Sequence, residues 1–443
     1  MSLASTTEVL NRALLRRDSI WIPQISYRDL DVREYVMVIF EDILGGRKVI
    51  LNRPKKMNTL NYETVSSRIR RMYEKLKTYE SDPTIKIVIL KAYGKAFCAG
   101  GDVTSAVNLA AFGKCKLLLK LDMMEKINSI KTTSFNVSGH WSFVMSFYCK
   151  QFSLDYLLAT YKKPMLAILD GSVMGGGVGI SIHSTFRIVT ENTIFAMPEA
   201  SIGLFPDVGA SYFLSRLPGF FGEYIGLTGV RLDGAEMLAL GLGTHFIPSK
   251  NLQSMEKAIE KMVATSDAIS VATMSMVINK FAQEVNVKPD SVTHRLKMIN
   301  QCFSGETCEE ILSSLERLSM QVEEKWINHA ITSMKTASPI CLKIFLKTIR
   351  EGRSMQIEQC LGNEYIALSH ILRKTISNDF YEGARAMLIE KDKKPQWGPS
   401  KLEKVSDQMV AQCFSRSFSV DDDWLPLRLP PRFDETNDRR SKL

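Results

Sequence analysis

No run of this 443-residue chain that is free of charge and proline is long enough to span a bilayer, so no membrane role is expected. The eight cysteines, at positions 98, 115, 149, 302, 308, 341, 360 and 413, include no Cys-x-x-Cys pair. None stands at zinc-ligand spacing from one of the six histidines, so no metal is expected. Several lie in apolar stretches, as reduced core thiols do. Three phosphate and nucleophile signatures are also missing. There is no G-x-x-x-x-G-K-[ST] loop and no G-x-S-x-G elbow. The glycines near 175 miss G-x-G-x-x-G because Ile180 stands at the last position. The formal net charge of +9 is spread along the chain, with short basic clusters at Arg53-Pro-Lys-Lys56 and Arg68-Ile-Arg-Arg71. Without a long basic run or interleaved aromatics, these read first as solvated faces and next as contacts for a small polyanion. Nucleic acid is not expected.

What is present concentrates between residues 164 and 216. A short apolar strand at Met165-Leu-Ala-Ile-Leu169 leads into Gly171-Ser-Val-Met-Gly-Gly-Gly-Val-Gly179, and a buried helix is expected from Ile180 to His183. Glycines at a strand-to-helix junction leave backbone N–H groups uncovered, which suits an anion or a carbonyl oxygen that gains charge during reaction. Close packing of helix on strand explains the same glycines. His183 is expected to pack on its helix. Downstream, Phe195-Ala-Met-Pro-Glu-Ala-Ser-Ile-Gly-Leu-Phe-Pro-Asp-Val-Gly209 sets Glu199 and Asp207 among Met197, Ile202, Leu204 and Phe205. Apolar neighbours desolvate a carboxylate, raise its pKa and make it a better base or nucleophile. Either acid alone reads as a loop cap or a solvated charge. Two of them just after a glycine anion turn make a candidate active site.

The length exceeds a usual single core, so a main domain and a second helical region are expected. Residues 35–40 and 48–51 read as paired strands around Leu44-Gly-Gly46, followed by a loop at 52–58. A helix is predicted over 62–79, with Val65, Ile69, Met72 and Leu76 at helical spacing, broken by Asp82-Pro83. The strand at 85–90 opens into Lys95-Ala-Phe-Cys-Ala-Gly-Gly-Asp102, with a helix starting near Asp102. Strand, glycine turn and helix thus occur twice. Two such turns face to face supply two N–H donors to one oxyanion. From about Leu252 the pattern is helical, clearest over 327–349 and 355–373. The acidic stretch Val420-Asp-Asp-Asp423 and the proline-rich 425–432 read as a flexible tail.

Asn52-Arg-Pro54, Ala96-Phe-Cys-Ala-Gly-Gly-Asp102, Met174-Gly-Gly-Gly177 and the Met197-Pro-Glu to Gly-Leu-Phe-Pro-Asp207 segment resemble the crotonase (enoyl-CoA hydratase/isomerase) superfamily. Within it the resemblance is to the branch that hydrolyses 3-hydroxyisobutyryl-CoA, over roughly residues 35–108 and 139–400. It implies an α/β fold, a spiral of strand-strand-helix repeats, with a C-terminal helical region. The expected boundaries are an N-terminal extension at 1–34, the spiral at 35–250 with an insertion at 110–138, helices at 251–400 and a tail at 401–443. The implied substrate is an acyl-CoA thioester, with no separate cofactor. Backbone N–H groups at Ala99 and Gly176 are implied as the oxyanion hole, and Glu199 and Asp207 as the catalytic acids. Hydratases of the family use a second carboxylate three residues after the middle glycine; Gly179 stands there. Gln151 occupies a substrate-pocket position where the hydrolases commonly carry glutamate. Lys55 and Lys56 are expected at the CoA phosphates. An isomerase using Glu199 alone and a non-catalytic CoA-binding protein stay open as alternatives. Ser441-Lys442-Leu443 reads as an address for the peroxisomal import receptor, hence the peroxisomal matrix. Arg12, Arg16 and Arg17, offset by Glu8 and Asp18, leave the mitochondrial matrix as the alternative.

Overall fold

The computed structural model describes residues 37–60, 62–112, 141–266, 268–416 and 425–432. Strands β1 (Val38–Ile43) and β2 (Gly46–Leu51) form an antiparallel hairpin whose turn uses Gly45 at φ 76°, a conformation glycine adopts without steric cost. The helix predicted over 62–79 runs Tyr62–Ser81 and buries Ile69, Met72, Leu76 and Tyr79 on one face. It stops before Pro83, and the chain enters β3 (Ile87–Ala92), parallel to β2.

From there the strands come in pairs. β3 is followed by β4 (Ala96–Cys98), β5 (Met165–Leu169) by β6 (Ser172–Met174), and β7 (Phe186–Val189) by β8 (Ile194–Ala196). The first of each pair joins a six-stranded sheet, β1-β2-β3-β5-β7-β10, and the second a four-stranded sheet, β4-β6-β8-β9. The last two strands are β9 (Leu232–Asp233) and β10 (His245–Phe246). Each turn of chain lays one strand in each sheet, which is the expected spiral. β3, β5 and β7 are nearly continuous apolar runs because both their faces are covered.

Helices of the repeats vary in length. Val103–Phe112 and Trp141–Ala159 lie between β4 and β5. Of the expected insertion at 110–138, only residues 110–112, which end the first of these helices, are among the described residues. After β6 the helix is a single turn, Gly176–Gly179, with Ile180 already its C-cap. The predicted start at Ile180 is therefore corrected: glycines can pack so tightly that the turn begins among them. His183 leaves that turn to pack against Tyr212 and Phe213, with ring centroids 6.1 and 6.3 Å away.

From Leu252 the chain is helical, and among the described residues no helix is long and apolar enough to cross a membrane. Helices Leu252–Thr265 and Val271–Asn279 pack with Ile87, Ile89, Leu166, Ile168 and Ile188 of the six-stranded sheet in one apolar cluster, and the helices from Val292 onward share a second cluster with the spiral. Fully buried Glu223 on helix Phe221–Thr228 pairs with Arg350 at 2.9 Å and Arg353 at 2.6 Å. A Cβ on Gly226 would fall 2.0 Å from the Phe345 ring, so glycine lets the helices touch there. The region expected as tail differs from that expectation. Residues 407–412 form a helix, and 425–432 are docked. Tyr365 donates to the Leu425 carbonyl at 2.7 Å, Leu427 and Leu429 pack on the core, and Arg432 meets both Glu80 oxygens and Thr160. Alternating apolar residues and one arginine partner outweigh the prolines that mark the segment as loose. The first 36 residues, 417–424 and the terminal Ser441-Lys442-Leu443 lie outside the described residues.

Candidate active site

β4 and β6 are parallel neighbours, so the glycine turns that follow them emerge at the same edge. Gly100 has φ 93° and Gly175 φ 46°. A Cβ on Gly100 would sit 3.2 Å from the Met174 carbonyl oxygen, and one on Gly177 only 2.3 Å from that of Cys98. Close packing and uncovered N–H groups are thus both consequences of the same glycines.

The loop at 52–58 is built onto the first turn. Asn58, buried and at φ 55°, donates to the carbonyls of Tyr93 and Ala96 at 2.8 and 2.7 Å. Leu60 N–H reaches the Gly100 carbonyl at 2.8 Å, and Arg53 pairs with Asp102 at 3.2 Å. In the same zipper the Ala99 N–H donates to the Met57 carbonyl at 3.0 Å. The Ala99 donor expected for the oxyanion hole is therefore occupied, a correction to that assignment. Two residues on, the Gly101 N–H meets no acceptor among the described residues, and neither does that of Gly176. Both glycines line one small cavity of about 80 Å³.

Glu199 and Asp207 line it too. Glu199 opens the 3-10 turn Glu199–Ile202 after β8, and is 6% exposed. A Cβ on Gly175 would lie 2.6 Å from its Oε1, so the carboxylate abuts the glycine turn. Its Oε2 has no hydrogen-bond partner among the described residues, and burial pushes the carboxyl up to about 8. Asp207 is 4% exposed, with Oδ2 likewise unpartnered. Burial, and then the charges of Glu199 and Glu364, hold its pKa well above the usual carboxylate range. Next to it Val208 has φ 56°. A β-branched residue there is strained by about 1–3 kcal/mol, and such strain persists where surrounding contacts over-determine the backbone.

Gln151, on helix Trp141–Ala159, brings its Nε2 to 2.6 Å from where a Cβ of Gly176 would be. It is 2% exposed and lines the cavity, whose other walls include Phe147, Tyr148, Met174, Ile202 and Leu204. Gly179 leaves no room for a second catalytic carboxylate. A Cβ there would meet Val208 Cβ at 2.7 Å and Asp155 Oδ2 at 3.1 Å. Asp155 is a buried acid that sequence reading missed. Burial first, and then Asp207 and Glu364, raise its pKa. Lys55 and Lys56 lie on the exposed turn Pro54–Lys56, immediately before Met57, and do not line the cavity.

Two N–H donors, an amide and two desolvated acids facing an apolar slot can hold a carbonyl and attack or protonate beside it. A model described as enoyl-CoA hydratase/isomerase matches residues 46–414. The chain belongs to the enoyl-CoA hydratase/isomerase family. This member is 45% identical over 395 residues to 3-hydroxyisobutyryl-CoA hydrolase 1 of Arabidopsis thaliana, covering 89% of this chain and 94% of that one. It is 37% identical over 374 residues to the mitochondrial 3-hydroxyisobutyryl-CoA hydrolase of Xenopus laevis, covering 84% and 87%. Among solved structures, a carnitinyl-CoA dehydratase from Mycobacterium thermoresistibile superposes with a TM-score of 0.70 at 29% identity, covering 86% and 97%. The spiral seen here is the crotonase fold of that family.

Proposed function

We propose that this chain hydrolyses a short-chain 3-hydroxyacyl-CoA thioester, foremost 3-hydroxyisobutyryl-CoA, to 3-hydroxyisobutyrate and CoA, a step of valine breakdown. The observation that carries the reading is the pairing of buried Glu199 and Asp207 in one cavity with Gly176, in a chain this similar to hydrolases of that name. CoA is part of the substrate, and no separate cofactor is needed. The Gly101 and Gly176 N–H groups hold the thioester oxygen as it gains charge. One such donor is worth about 2.7–4 kcal/mol of barrier lowering. Glu199 either attacks the carbonyl, forming an anhydride that water then opens, or takes a proton from water that attacks directly. Both routes consume one water and break the C–S bond, the thiolate leaving with a proton. The new carboxyl oxygen is the water's, except where water opens the anhydride at the glutamyl carbonyl; it is then Glu199's, and the water oxygen replaces it on Glu199.

Burial disfavours ionising both acids at once, and the Glu199 charge adds to that penalty at Asp207. Asp207 then keeps a proton with which it orients the substrate hydroxyl or the water. Gln151 hydrogen-bonds the acyl group, and the small cavity suits a short chain. Lys55 and Lys56, on the exposed turn Pro54–Lys56, meet CoA phosphates outside it. An isomerase using only Glu199 leaves Asp207 buried, unpaired on one oxygen and without a task. The names of several relatives carry the word mitochondrial, which favours the mitochondrial matrix over the peroxisomal destination first expected.

A thiol-release assay on a small acyl-CoA panel, with Glu199→Gln as control, tests the function. Release of CoA from 3-hydroxyisobutyryl-CoA, lost in the variant, is the expected result. Double-bond migration without thiol, or CoA binding with no turnover, would refute it.

A further inference from the structure

We propose that Glu364, on helix Ile357–Leu372 of the C-terminal region, is the positioning residue for Asp207. This rests on the role given to Asp207 above. Glu364 is fully buried, and its carboxylate collects three donors from the five residues that begin at Asp207. The Gly209 N–H reaches Oε2 at 2.7 Å, and the Ser211 N–H and hydroxyl reach Oε1 at 2.9 and 2.5 Å. Between these anchors and Asp207 stands Val208, held at φ 56°, and then Gly209 at φ 86°.

A left-handed valine relaxes toward ordinary backbone unless something pins it. Burial lifts the Glu364 carboxyl to about 7 while its three donors pull it down, so above neutral pH all three converge on one anion, and hydrogen bonds to an ionised acceptor exceed neutral ones. The same helix packs Ile357 Cδ1 3.2 Å from where a Cβ on Gly209 would lie, closing the other side. Glu364 does not line the cavity, so it touches no reacting atom. Its effect passes through Asp207, by way of the backbone it pins and of its charge, which helps keep Asp207 protonated. The spiral thus supplies the two acids, and the appended helices fix the conformation of one of them.

The test is a double-mutant cycle in the full chain, reading kcat and KM for thiol release, with thermal melts to confirm folding. Glu364→Gln puts an amide donor against one of the three N–H or O–H donors and frees the loop. Misplacement by about 1 Å costs up to about a hundred-fold in rate, so kcat is expected to fall by roughly ten- to a hundred-fold with KM little changed. In an Asp207→Asn background the same substitution should cost less than about two-fold, because its route to the chemistry is already cut. Equal losses in both backgrounds, or no loss in either, overturn the positioning role while the hydrolase reading stands. Wild-type chain without thiol release overturns the hydrolase reading and this one with it. Should Glu364→Gln fail to fold, Ser211→Ala removes one donor only. It is expected to lower kcat about five-fold, and an unchanged kcat overturns the proposal.

Discussion

Glu199→Gln should make the protein less active and, above neutral pH, more stable. The side chain keeps its size and loses its charge. Burial lifts the wild-type carboxyl from its ordinary 4.5 to about 8. A group whose folded pKa exceeds its unfolded one binds more protons in the folded state over that interval. Its contribution is therefore full below pH 4.5 and is lost progressively as pH rises to 8. At about 1.4 kcal/mol per pH unit, the interval amounts to on the order of 5 kcal/mol. Any fixed cost of the glutamine amide is the same at every pH and cancels from the slope. For a chain of 443 residues the unfolding entropy is about 0.9 kcal/mol/K, so the variant's melting temperature should gain on wild type by about 5 °C between pH 5 and pH 9. Thiol release should meanwhile drop about 10²–10⁴-fold, the usual worth of a positioned base. Paired thermal melts across pH, with the activity assay, measure both. Parallel melting curves for the two proteins from pH 5 to pH 9 would show that Glu199 is not a desolvated acid, and the catalytic argument would fall with it.

Gln151→Glu adds a carboxylate beside Gly176 and Glu199. Like charge disfavours ionisation of Glu199, so the rising limb of kcat/KM against pH should move upward by about one unit or more; an unmoved limb would place Gln151 outside the reach of Glu199. Arg432→Ala leaves Glu80, nearly buried, without the partner it holds at 2.5 Å. Breaking a buried pair should cost about 3 kcal/mol or more and expose the 425–432 segment to protease, seen as a lower melting temperature and an early cut there. Gly179→Ala forces a methyl to within 2.7 Å of Val208 Cβ and should destabilise by about 1–3 kcal/mol while lowering kcat, read by denaturant melts and thiol release.

The two acids and Gly176 were legible because a few consecutive residues carried the signal. Glu199 and Asp207 sit in one short loop with apolar neighbours, and local composition already forecast their desolvation. The strand pairs were legible for the same reason, since apolar runs ending in glycine mark where a buried strand must turn. Ala99 was misread because the fate of its N–H depends on the Met57 carbonyl, which only folding brings over it. Asp155 carried no local signal, since nothing nearby in sequence says that it faces Gly179. The 425–432 segment read as loose because prolines and charges dominate it, whereas its order comes from Tyr365, Thr160 and Glu80.

By itself the sequence determined which groups can react: it set a desolvated pair of acids after a glycine turn and denied Gly179 any side chain. Tertiary structure alone decided which backbone donors remain unspent and which distant carboxylate pins the acid loop. Apolar periodicity and glycine spacing are short-range properties that a linear chain displays. The allotment of hydrogen bonds, by contrast, is settled only when segments far apart in the chain compete for the same donors.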